Sequence, residues 1–129
     1  MKTAIYILSS LAIFSLAGAV DVIQRGGKVT SESNSADSLL QEADKIFQSR
    51  DYPAALDQYE KVLNQARNEF NRSVEIEALS QMARMNLLTD NKEAGRRYLA
   101  EAGKKVSDSD PMAWSRYLGV KGRFEWKDN

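Results

Sequence analysis

The chain has 129 residues, with 18 Lys+Arg against 18 Asp+Glu, no His and no Cys, which is enough for one small domain around a single core. Without Cys or His there is no disulfide framework, thiol nucleophile, imidazole base or Cys/His zinc site. Zero net charge at 28% charged residues leaves no basic footprint for nucleic acid and none for an anionic membrane surface.

Met1-Lys2 precedes the uncharged, Ile-, Leu-, Ala- and Phe-rich run Ala4 to Val20, which ends in Ala17-Gly18-Ala19. A short positive region, an apolar region and a small-x-small site are the parts of a secretory signal peptide, with cleavage expected after Ala19. The alternative is an uncleaved anchor in which Val22 and Ile23 extend the apolar run past Asp21. Both readings export residues 20–129, as a periplasmic, secreted or membrane-anchored protein, and a lipid anchor on Cys is excluded because the chain has none. Residues 20–35 include Gly26-Gly27, Ser31, Ser33 and Ser35 and read as a flexible tether.

Five helices are then predicted. Leu39, Ala43, Ile46 and Phe47 recur at helical spacing after Ser35, a good N-cap. After the break Ser49 to Tyr52, Pro53 suits the first turn of a second helix that carries Ala55, Leu56, Tyr59, Val62, Leu63, Ala66 and Phe70 and ends near Asn71-Arg72. Ser73 is expected to cap a third helix through Ile76, Leu79, Met82, Met85 and Leu87, interrupted at Thr89-Asp90-Asn91. A fourth holds Ala94, Tyr98, Leu99 and Ala102, with Gly103 placed to end it. Asp110 as N-cap and Pro111 as first residue open a fifth, which runs to about Lys127 with Met112, Trp114, Tyr117, Leu118, Val120, Phe124 and Trp126.

The breaks at Asp51-Tyr52, Asp90-Asn91 and Asp128-Asn129 are spaced 39 and 38 residues apart, which signals a repeated helical hairpin. Ala55 with Tyr59 and Ala94 with Tyr98 place a small residue one turn before a ring, so that two helices approach closely and the ring fills the gap beyond. With the aspartate turns and Ala43, Ile46, Met82 and Met85 on the first helices, this pattern resembles the tetratricopeptide repeat (TPR). The period exceeds the usual 34 residues, which fits a longer second helix or a generic array of hairpins. The expected architecture is an all-α solenoid: repeats at 36–72 and 73–110, then a terminal helix at 111–129 that caps the array or begins a third repeat.

The resemblance implies a non-enzymatic scaffold that binds a peptide or protein segment in a groove lined by the first helices. The groove residues would be Leu40, Asp44 and Phe47, then Leu79, Ala83 and Asn86, then Trp114, Tyr117, Lys121 and Phe124. Ala43, Ala55, Tyr59, Met82, Ala94 and Tyr98 would pack the repeats. TPR domains that grip a chaperone's C-terminal carboxylate use Lys and Asn where Leu40 and Asp44 stand here, which argues against that specificity. The aromatic content of the last helix also fits a homodimer, as a self-associating module of an envelope assembly. No catalytic, cofactor or metal site is expected. The groupings Arg50-Asp51, Glu75 with Glu77, and Arg96-Arg97 read as turn residues or solvated helix faces. Gly26-Gly27 lacks the helix that a phosphate-cradling loop requires. Contact with a membrane is expected only through residues 4–20, if they are not removed.

Overall fold

The computed structural model describes residues 35–129; the expected signal peptide and the tether up to residue 34 lie outside the described residues. Within them the chain is all-α: α1 (Ala36–Gln48), α2 (Tyr52–Asn68), α3 (Arg72–Leu88), α4 (Lys92–Lys105) and α5 (Pro111–Asp128). The caps explain the starts. Ser35, Asp51, Asn71 and Asp110 each accept from the amide three residues on, and Pro53 and Pro111 occupy first-turn positions where a missing N–H leaves nothing unpaired. The cap of α3 is therefore Asn71, two residues before the expected Ser73, and α2 stops at Asn68.

The first three connections share one device. Arg50, Phe70 and Asp90 adopt left-handed φ values of 65°, 55° and 63°, and each immediately precedes the cap of the next helix. Asn71 and Asn91 then donate backbone N–H bonds of 2.8 Å back to Ala66 and Asn86, closing the helix ends in Schellman fashion. Turns this short reverse the chain, so successive helices pack as hairpins.

The packing has one centre. α3 contacts all four other helices, α1 lies against α2, and α5 returns onto α3 and α4. Thirteen residues of α3 are buried, including Glu75, Glu77, Ser80, Gln81 and Asn86. Its polar groups find partners, as burial requires: Ser80 donates to the Ile76 carbonyl and Asn86 to that of Met82, both at 2.8 Å. Glu75 meets Arg67 of α2 at 3.0 Å and Lys105 of α4 at 2.9 Å, so that one carboxylate joins three helices.

Ala43, Ala55, Tyr59 and Met82 are buried among the helices, whereas Ala94 and Tyr98 are only half-buried. Counted from the caps Asp51 and Asn91, the residue equivalent to Ala55 is Gly95, which is buried. The structural register between the two hairpins is thus one residue longer than the Ala-x3-Tyr pattern indicates. A methyl group at Gly95 would lie 2.7 Å from Cζ of Phe124 and 2.9 Å from the Ala83 carbonyl oxygen. Gly103 does not end α4, which runs two residues further. Instead it admits the hydroxyl of Tyr117, 2.8 Å from where a Cβ would be. The two glycines of α4 are docking points for two rings of α5.

Candidate binding face

The face shared by α1, α3 and α5 is organised by Arg116. From the middle of α5 its guanidinium forks onto both oxygens of Asp44 on α1, at 2.9 and 3.1 Å, and its Nε meets Glu77 on α3 at 3.0 Å. The Tyr59 hydroxyl, from α2, donates to Asp44 and accepts from Gln81 at 3.2 Å. A bidentate arginine fixes both distance and orientation, so this cluster holds four helices in register while α1 and α5 make no backbone approach of their own.

The electrostatics follow from how the guanidinium is divided. Burial by itself would raise the Asp44 carboxyl, but hydrogen bonds from Arg116 and Tyr59 outweigh it and hold Asp44 below its ordinary value. Burial also dominates at Glu77, where the charge of Arg116 offsets only part of it and Asp44 adds repulsion, so Glu77 is pushed up. Burial and the Asp44 charge both push the Tyr59 hydroxyl up. Arg116 is opposed by burial but raised further by its two carboxylates, and stays charged.

Next along α3 stands Arg84, whose guanidinium lies 4.6 Å above the Phe47 ring of α1. Its Nε is buried without a hydrogen-bond partner. Burial first, and repulsion from Arg123 second, lower its affinity for the proton. Arg84 and Arg123 both line clefts between α3 and α5.

Of the expected groove residues, Asp44 and Phe47 stand on this face, in contact with Arg116 and Arg84 respectively. Leu40, Leu79, Ala83, Asn86 and Phe124 are buried and present no surface. Tyr117 packs toward Gly103 with Trp114 beside it at 6.4 Å, and Lys121 is a solvated residue 3.9 Å from Glu125. The expectation of a groove surface at Leu40, Leu79, Ala83, Asn86 and Phe124 is thereby corrected, and so is that of Glu75 and Glu77 as solvated; both are buried and ion-paired. Glu77, Gln81 and Arg84 sit two residues, about 200° around α3, from Leu79, Ala83 and Asn86, and it is the first set that meets Arg116, Tyr59 and Phe47. Glu77, Gln81 and Arg84 at i, i+4 and i+7 were the available signal, a polar stripe along the helix.

Among the described residues no group of three or more acidic side chains is placed to hold a metal ion, and no helix is long and apolar enough to cross a membrane. Comparison with protein-family models, with curated proteins and with solved structures returns no match to this chain.

Proposed function

We propose that the chain is a non-enzymatic scaffold of TPR-like helical hairpins that docks a peptide or protein segment across the face shared by α1, α3 and α5. The observation that carries this reading is the Arg116 cluster, which ties α1 to α5 over α3, with Arg84 and its unpaired buried Nε beside it. The alternation of packing supports the repeat assignment, since α1, α3 and α5 adjoin in series while α2 and α4 each bridge successive members. A non-enzymatic role fits the ionisable groups, because the buried carboxylates Glu75 and Glu77 are held in ion pairs between helices. Export rests on the pattern of residues 1–20.

Self-association through α5 is the weaker reading. Met112, Leu118 and Trp126 are exposed there, within one arc of about 120° but spread along about 20 Å of the helix, with charged Lys121 and Glu125 between Leu118 and Trp126 along the chain. A photo-crosslinking residue at exposed Ser115, beside the α3/α5 cleft, should give an adduct with a different protein in cells. The same residue at exposed Lys61 on α2 should give none. Equal adducts from both positions would refute the face, and adducts containing only this chain would favour the dimer.

A further inference from the structure

Two depressions between α3 and α5 share Arg84 and Arg123. One, of about 260 Å³, is completed by Gln81, Ser115, Arg116 and Val120 among its walls. The other, of about 80 Å³, is bounded by Leu87, Leu88, Trp126 and Lys127. No carboxylate lines either. Four other guanidinia have anionic or carbonyl partners, since Arg67 meets Glu75 and Glu101, Arg96 meets Asp128, Arg72 meets the Lys105 carbonyl, and Arg116 meets Asp44 and Glu77, whereas Arg50, Arg97 and Arg123 are exposed to water. Arg84 and Arg116 are the half-buried arginines among the described residues, and of the two only Arg84 has no anionic partner. The Phe47 ring under Arg84 compensates part of its burial, but its buried Nε–H has no hydrogen-bond partner and a second cation stands nearby, an arrangement that an anion would complete. Beside it, Trp126 and Leu88 are 79% and 45% exposed, an apolar shelf contiguous with the charge.

We propose that this double cleft takes an acidic peptide segment of a partner protein, with a side-chain carboxylate between Arg84 and Arg123 and the next apolar side chain on Leu88 and Trp126. This rests on the docking role proposed above and gives the partner its chemistry. Charge complementarity selects the occupant: carboxylate and guanidinium pair in a fork, and an adjacent apolar residue covers the exposed indole. A polyanion such as a nucleic acid suits the surface less, because Asp44 and Glu77 adjoin the cleft and Asp128 lies near its end.

The probe is a blocked, fluorescein-labelled peptide with two glutamates followed by leucine and phenylalanine, against a control with glutamines in place of the glutamates. Anisotropy titrations of the full chain should show the acidic peptide binding at least tenfold more tightly, with the advantage shrinking as salt rises from 50 to 300 mM. The double variant Arg84→Gln, Arg123→Gln should abolish the advantage. Arg123→Gln alone, a change at an exposed position, should reduce it severalfold while the helical circular dichroism stays unchanged. Absence of binding, equal binding of both peptides, indifference to the arginine variants, or equal displacement by a single-stranded oligonucleotide would overturn the proposal. If Ser115 still crosslinks a different protein in any of those cases, the docking face survives and only the acidic chemistry falls; if it does not, the face falls as well.

Discussion

Gly95→Ala puts a single methyl group where α3, α4 and α5 meet. In an ordinary helix position the exchange stabilises by about 1 kcal/mol, because alanine loses less backbone entropy on folding. At Gly95 the added Cβ would sit 2.7 Å from the Phe124 ring and 2.9 Å from the Ala83 carbonyl oxygen. The ring can tilt, but the carbonyl belongs to the most buried helix and cannot retreat without moving α3. Overpacking of this kind costs about 1–3 kcal/mol, so a middle value of about 2 leaves a net loss of about 1 kcal/mol. Gly122 on α5 provides the internal control, since a Cβ there meets nothing within 4 Å and alanine should stabilise by about 1 kcal/mol. The variants should differ by about 2 kcal/mol. With a urea slope of about 1 kcal/mol/M for a domain of this size, that is about 2 M between midpoints followed by circular dichroism at 222 nm. A Gly95→Ala midpoint raised as far as that of Gly122→Ala would refute the close approach of α4 to its neighbours.

Four further variants have expected outcomes. Phe70→Gly should stabilise by about 1 kcal/mol in the same urea assay, because Phe70 is 93% exposed and holds a left-handed φ of 55° that glycine adopts without strain; a loss would mean the ring makes a contact that matters. Asp44→Asn should cost about 2 kcal/mol at pH 7, discounted from the full penalty for breaking a buried pair because Asp44 and Arg116 retain some exposure. Glu77→Gln should stay within about 1 kcal/mol of the parent, since the Glu77 charge is disfavoured by burial; the reverse order would place the main Arg116 partner on α3. Because the folded-state value of Asp44 lies below its ordinary 3.8, its stabilisation is complete above about pH 4 and disappears as pH falls through the folded value. Glu77, raised in the folded state, acts in the opposite sense and recovers stability on protonation. Thermal melts of Arg116→Met between pH 7 and pH 3 should therefore show a shallower acid loss than the parent, and an identical profile would remove Asp44 as its source.

The sequence by itself determined the five helices, their order and most of their starts, because those features are local. A 3.6-residue apolar period, a side-chain cap and a first-turn proline all act within one or two turns. Ser35, Pro53, Asp110 and the buried Ala43, Ala55, Tyr59 and Met82 were legible for that reason. The apparent Ala-x3-Tyr repeat misled by one residue, because a half-buried Ala94 resembles in sequence the buried position that Gly95 occupies. What only the tertiary structure decided is which stripe of each helix meets which neighbour. Glu77, Gln81 and Arg84 lie about 200° around α3 from Leu79, Ala83 and Asn86, and only the packing shows that it is the first set that meets Arg116, Tyr59 and Phe47. The pairing of Asp44 with Arg116 spans 72 residues. No local spacing encodes it, because such a pair exists only once three hairpin turns and the packing of α5 onto α3 have brought the two side chains to one face.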